Sequence, residues 1–412
     1  MPEPLPRLRP VLDAMPSPWP EHPGLFLRDP YHYSDAMLVI PPLLAECLGC
    51  FDGRQTELDL RALLVRLTNS LEVGEIVRQL VDTLSGAGFL EDAAFDAMRE
   101  QRRREFAENP LREPTHAGSA YPEEPGPLRE TMANYMQWGG PPGKTSSPSS
   151  SGPLFAIAAP HVSPEGGWRS YRAAYNMLRP EHRDRTFVIL ATSHYGEPET
   201  FGLTRKTFIT PLGQSASDVS LVDRLASRGG GAVIMEDYCH SFEHTVEFQV
   251  VFLQHVLGPD VRILPILCGS FAHSILGGGQ PEDTDRVKRF LDALGELHDR
   301  EGDRLFWILG VDMAHMGARY GDQFQAAANE GVMTEVAARD HARMDRIAAA
   351  DARGFWDLVR PDHDPLKWCG SAPFYAFLKA APQSKGELLQ YEQWNIDAQS
   401  VVTFAGMAFH KA

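Results

Sequence analysis

Cysteine is scarce in this 412-residue chain: Cys47, Cys50, Cys239, Cys268 and Cys369 are an odd number at irregular spacing. That excludes the disulfide framework of a small secreted protein, which pairs its cysteines to compensate for a thin core. Positive charge is in deficit, with 39 Lys and Arg against 55 Asp and Glu and a formal charge of −16. Phosphate-rich partners need a basic face, so neither nucleic acid nor an anionic membrane surface is expected as a partner. The run Arg102–Arg104 lies in a mixed-charge segment and reads as a solvated helix face. No apolar stretch approaches ~18 residues, so no membrane-spanning helix is expected. Residues 1–20 are proline-rich and lack the apolar core of a secretion signal, which makes the cytoplasm the expected compartment. No internal repeat is visible, and the zinc-peptidase pattern HExxH is absent.

Apolar residues are plentiful, at 43%, and from residue 154 they gather into short runs. Leu154–His161 reads LFAIAAPH, Thr186–His194 reads TFVILATSH, and Leu305–His315 reads LFWILGVDMAH. Uninterrupted runs of this length suit strands buried on both faces of an α/β sheet. Between them, helical periodicity appears near 168–178, 218–228, 243–256, 282–298, 329–350 and 371–380, with closing strands near 386–394 and 400–408. The expected class is therefore α/β, with a central, mostly parallel or mixed sheet flanked by helices.

Each of the three runs ends by presenting a histidine: His161 after Pro160, His194 after Ser193, and His315 three residues past Asp312. Ligands of such sheets bind beyond the carboxyl ends of the strands. Three rim histidines would make a metal or acid–base site, with Asp312 acting beside His315 or orienting it. Cys369, in KWCGSAPF, stands just ahead of a helix whose N-terminus would favour a thiolate, either as a third metal ligand or as a nucleophile. His244 and Glu247 share one helical face and suit a supporting or substrate-facing role. Cys47 and Cys50 form a CxxC, but no second CxxC or nearby CxH completes a zinc set, so they read as two small buried residues.

HAGSAYP (116–122), APH (159–161), TSH (192–194), EHTVEFQ (243–249), VDMAH (311–315) and CGSAP (369–373) occur in the order found in Memo-like proteins, also called AmmeMemoRadiSam system protein B. Over about 112–410 the chain resembles that family, which in turn resembles the class III extradiol ring-cleaving dioxygenases in fold. The resemblance implies a metal set of His161, His194 and Cys369, where those dioxygenases bind non-haem Fe(II) with two histidines and a carboxylate. It implies an acid–base role for His315 with Asp312 beside it, and places His116, His244 and Glu247 in family motifs around the pocket. Fe(II) is the cofactor it favours, with copper as the alternative, since a thiolate suits soft ions. By family association, radical SAM or AMMECR-type proteins would be partners.

Residues 24–92 resemble a small winged helix of the PqqD-like type, which holds a peptide for a modifying enzyme. The cues are an Asp-Pro turn, a Phe-Asp-Gly-x-x-Thr turn and a closing Gly-Phe-Leu. The expected layout is an extended lead-in over 1–23, this domain over 24–92, a helical connector over 93–111 and the α/β domain over 112–412. Departures from the family pattern cluster at the pocket. The usual APHAGY is APHVSPEGG, the paired SHH is SHY with Tyr195, and Phe248-Gln249 replaces a common Met-His. The expectation is a non-haem iron oxidoreductase acting on a small aromatic or a peptide, or else a non-catalytic module that binds metal or a partner.

Overall fold

The computed structural model describes residues 3–137 and 152–412. The Gly/Ser-rich loop expected over 139–153 falls outside them, apart from its last two residues. The chain forms two compact units, Met1–Glu108 and Asn109–Ala412. No helix among the described residues is long and apolar enough to cross a membrane.

In the first unit, the strands Asp13–Pro16, Leu25–Arg28 and Met37–Ile40 form an antiparallel sheet in that order. Helices Glu57–Thr68, Gly74–Gly86 and Ala93–Glu108 complete it. Thr56 caps the first of these, and the Asp59 carboxylate accepts from the Thr56 amide at 2.8 Å. The expected extended lead-in carries a strand of its own and packs into the unit. Arg9 donates to both oxygens of Asp29 at 3.0 Å, a pair almost wholly buried. The same carboxylate accepts from the amides of Tyr31, Tyr33 and Ser34, which builds the Asp-Pro turn. Cys47 and Cys50 lie in the core with Leu60, Leu64 and Val77, and burial pushes both thiols up. Packing accounts for them.

The second unit is built on a nine-stranded mixed sheet. Its strands are β1 (Leu154–Ala159), β2 (Thr186–Thr192), β3 (Phe201–Leu203), β4 (Val233–Met235), β5 (Arg262–Cys268), β6 (Leu305–Gly310), β7 (His315–Gly317), β8 (Ser384–Asp397) and β9 (Ser400–Lys411). Spatial order is β4-β3-β5-β2-β6-β1-β9-β7, with β8 paired to β9. The four central strands, β5, β2, β6 and β1, run parallel. Every residue of β2 and β6 is buried, which is why their sequences read as unbroken apolar runs. Pro265 sits inside β5, yet the neighbour β3 pairs only with Ile266–Cys268. The ladder there is too short to need the N–H that proline lacks.

Helices cover both faces. On one lie Pro125–Gln137, α1 (Pro164–Tyr175) and α2 (His244–Leu257). On the other, Asp285–Glu301 packs against Val219–Gly229 and α4 (Ser371–Ala380), with α3 (Val332–Ala348) contacting β8. Helix α2 is buried along most of its length because it lies between β2, β6 and α1. The four parallel strands thus deliver their carboxyl ends to one rim.

Candidate metal centre

Three chain segments leave that rim side by side. β1 ends at Ala159 and hands on to Pro160 and His161; β2 ends at Thr192, two residues before His194; β6 ends at Gly310, two before Asp312. Cys369 arrives on the loop ahead of α4, far along the chain. Its approach depends on Gly370, whose amide donates to the Asp312 carbonyl at 3.0 Å. A Cβ at Gly370 would stand 2.5 Å from that carbonyl oxygen, so only glycine fits the CGSAP turn.

The ligand atoms of His161, His194 and Cys369 lie within 4.8 Å of one another. That spread suits a shared ion with bonds of about 2.0–2.3 Å. Cys369 Sγ is 3.4 Å from His161 Nε2. Each imidazole is committed on its other nitrogen. His161 Nδ1 meets the Gly310 carbonyl at 3.0 Å, and His194 Nδ1 meets the Glu243 carboxylate at 3.1 Å. A proton held on Nδ1 by a carbonyl or carboxylate leaves Nε2 with its lone pair, the arrangement that orients a metal-binding histidine. Two imidazole nitrogens and a sulfur form a donor set suited to iron, copper or zinc. These residues are therefore able to hold a transition metal.

The cluster runs from a buried His161 through a half-buried Cys369 to His194 at the exposed edge. Burial, with His194 and His244 nearby, lowers the His161 pKa well below an ordinary histidine. Burial also opposes charge on His194, but the Glu243 carboxylate, with help from the Cys369 thiol, outweighs it and raises that pKa well above the usual value. The expected pull of the α4 N-terminus on Cys369 is not what governs its thiol. Burial pushes it up, against the lowering influence of His194.

Asp312 and His315 do not act on one another as expected. The Asp312 carboxylate turns to the His161 segment: Oδ1 accepts from the amides of His161 and Val162 at 2.9 and 3.2 Å, and Oδ2 lies 3.5 Å from His161 Nε2. Burial lifts the carboxyl to about 7 despite those bonds. His315 is oriented by backbone instead, its Nδ1 meeting the carbonyls of Met313 and Lys367 at 2.9 and 3.1 Å. Burial and the nearby His194 lower its pKa to about 4, so the ring is neutral at physiological pH with Nε2 able to take a proton.

The remaining sequence candidates divide. His244 stacks on His194 with ring centres 5.2 Å apart, and its Nδ1 shares Glu243 at 3.1 Å. His116 stands edge-on to His244 at 5.6 Å. Tyr195 lies beyond His194, at 6.3 Å, edge-on to Phe242. Glu247 is fully buried and is consumed by structure. It pairs with Arg112 and accepts from the Tyr121 hydroxyl, the Thr115 hydroxyl and the His116 amide. Its role is to anchor the HAGSAYP loop and so to place His116.

Residues 112–408 match the family described as Memo-like protein. The chain belongs to the Memo family. A MEMO1 family protein of Aquifex aeolicus is 24% identical over 388 residues, 93% of this chain and 95% of that one. A MEMO1 family protein of Thermococcus onnurineus is 27% identical over 314 residues, 73% of this chain and 100% of that one. An uncharacterized protein of Escherichia coli K12 overlays with a TM-score of 0.39 and 11% identity, covering 62% of this chain and 99% of that one. The Aquifex alignment is longer than the second unit and reaches into the first.

Within this Memo-family chain, the departures after His161 have a structural account. Val162 packs with Val402 and Phe404 beneath Tyr320 and Trp394. A Cβ at Gly166 would meet the Trp394 ring at 2.6 Å, so glycine makes room for an aromatic wall supplied by β8. Gln249 donates to the Pro160 carbonyl at 2.8 Å and holds the end of β1 just before His161. Two functional neighbours escape sequence reading. Glu243 looks like a plain helix cap, and it does cap α2, but it also binds His194. Tyr320 carries no motif, yet its ring stands edge-on to His315 at 4.9 Å.

Proposed function

We propose that the second unit is a mononuclear non-haem iron protein, with His161, His194 and Cys369 as ligands, that carries out an oxygen-dependent oxidation. What supports the reading is the convergence of two Nδ1-committed imidazoles and one sulfur beside a neutral histidine, His315. A site that only held metal would need no proton acceptor there. The ion would supply the redox chemistry. The chain's own residues supply the rest: Glu243 and the Gly310 carbonyl hold the imidazoles in register, and His315 Nε2 accepts a proton from a substrate hydroxyl or amide. Tyr320, edge-on to His315, packs with Trp394 around Val162, the residue after His161, and gives this side of the site an aromatic surface suited to a flat or apolar substrate group. The test is anaerobic purification, metal analysis and O₂-uptake with candidate phenols and peptides. Stoichiometric iron with substrate-dependent O₂ consumption is expected; metal-free protein would sink the proposal.

A second reading, copper or iron binding without turnover, is favoured by the thiol, a soft ligand where a carboxylate would serve oxygen chemistry. Preferential Cu(I) uptake with no substrate-dependent O₂ consumption would select it.

Glu243→Gln provides a quantitative check. The amide keeps the shape but loses the charge that orients His194. Partners of this kind cost about 10–100-fold in metal affinity when replaced. A chelator-competition titration should show a loss of that size.

The first unit is proposed to hold a peptide for the metal domain, following its resemblance to peptide-binding winged helices. The Thermococcus relative, matched over its whole length by 73% of this chain, is about the length of the second unit alone, which supports a second unit that folds without the first. Removing residues 1–108 should therefore leave metal content unchanged and weaken peptide binding. Equal peptide affinity in the truncated protein would refute the delivery role.

A further inference from the structure

Helix α3 carries a carboxylate, Asp340, that is wholly buried and remote from any sequence motif. An isolated buried carboxylate is costly, and an apolar side chain would serve the core better. Its three donors explain its presence. Trp368 Nε1 donates to Oδ1 at 2.7 Å, while Thr403 Oγ1 and the Tyr391 hydroxyl donate to Oδ2 at 2.7 and 2.8 Å.

Two of those donors reach the segments that build the metal centre: Trp368 lies in one, and Thr403, in β9, holds the other. Trp368 directly precedes Cys369, and its amide donates to Asp364 at 2.8 Å. Asp364 is itself held by Arg343, one turn along α3 from Asp340, at 2.8 Å. Thr403 grips the other loop. Its hydroxyl accepts from the Ala314 amide at 2.8 Å, its carbonyl accepts from Met313 at 2.8 Å, and its amide donates to Ala314 at 2.9 Å. The two loops also meet directly, where the His315 amide donates to Leu366 at 2.9 Å and His315 Nδ1 meets the Lys367 carbonyl.

We infer that Asp340 is a positioning residue for the centre, a single buried carboxylate that ties the Cys369 loop, through Trp368, to the Asp312–His315 loop, through Thr403. It fixes the Cys369 sulfur relative to His315 without touching either. The inference rests on the metal reading only for what the two loops are for; the tie itself is independent of it. Asp364, Lys367 and Asp362 all adopt left-handed backbone, so the Cys369 loop is held in a conformation it would not choose alone.

The test uses the full chain with Asp340→Asn, Thr403→Val, Thr403→Ser and, as a control for simple destabilisation, the distant core variant Leu225→Ala. Cobalt(II) is the probe, because a thiolate–cobalt charge-transfer band reports the Cys369 geometry. Asp340→Asn and Thr403→Val are expected to shift that band and weaken cobalt binding about 10–100-fold, as partners behind metal ligands do. Thr403→Ser restores both hydrogen bonds and should match the parent, and Leu225→Ala should lower thermal stability with the band unchanged. A second readout needs no metal. Cys369 is half-buried while the other four cysteines are buried, so iodoacetamide labelling reads Cys369 first. Its rate should change severalfold in Asp340→Asn and Thr403→Val and stay at the parent value in Thr403→Ser and Leu225→Ala. If the parent takes up no cobalt, the metal reading fails and labelling alone judges the tie. Parent-like labelling in both disrupting variants would overturn it, whatever their stability.

Discussion

His161→Ala should abolish stoichiometric metal uptake, with a larger loss than any change behind the ligands. Residues that merely orient a ligand cost about 10–100-fold, whereas His161 is itself one of the three candidate ligands, its Nε2 3.4 Å from the Cys369 sulfur. Removing it would leave His194 and Cys369 as a two-point site. The same change frees the Gly310 carbonyl, which His161 Nδ1 meets at 3.0 Å. Removing a buried imidazole together with that contact also opens a cavity in the core, so stability must be followed beside metal content. Metal analysis after anaerobic dialysis, with circular dichroism as the check on folding, distinguishes the two effects. Unchanged metal content in a folded variant would remove His161 from the centre. Cys369→Ser and His194→Ala should behave alike if the three act as one set.

Arg112→Ala should be the most destabilising single change around the site. Arg112 and Glu247 are an ion pair with no exposed surface on either side chain. Removing one partner of such a pair costs about 3–5 kcal/mol, because the other charge stays buried without compensation. Arg112 also donates to the carbonyls of His240, Glu113 and Glu243 at 2.8, 2.8 and 2.9 Å, so its loss loosens the start of α2 as well. Burial works to raise the Glu247 pKa, but Arg112, with His116 and Tyr121, holds it far below the usual carboxylate range. A depressed carboxylate contributes stability that is complete above the unfolded value of about 4.3 and is lost as pH falls below it. In Arg112→Ala the bare carboxylate is pushed up instead and takes a proton on mild acidification, which relieves the penalty. The gap between parent and variant should therefore be widest near neutral pH and narrow as pH falls. Urea unfolding at several pH values measures it; a gap that widens on acidification would contradict this account.

How much of this was legible before folding is seen in particular residues. LFAIAAPH, TFVILATSH and LFWILG could be read as buried strands because burial on both faces demands unbroken apolar runs, a local property. The chemistry that follows a strand was legible too, since proline or a small polar residue marks the point where the chain leaves the sheet. His161 and His194 were thereby placed at the rim, and their partnership with Cys369 came from motif resemblance. Partners across the chain were not legible. Cys369 meets His161 across 208 residues, and nothing local to either announces the other. Asp312, three residues from His315, was assigned to it by proximity in sequence, yet its carboxylate serves His161, because β6 lies beside β1 in the sheet. Glu243 carried no expectation, and Glu247 was expected in a supporting or substrate-facing role. The packing of α2 against β2 turns the first toward His194 and commits the second to Arg112. Periodicity along the chain decides which residues stand at the rim; strand order and helix packing, which are long-range, decide which of them touch.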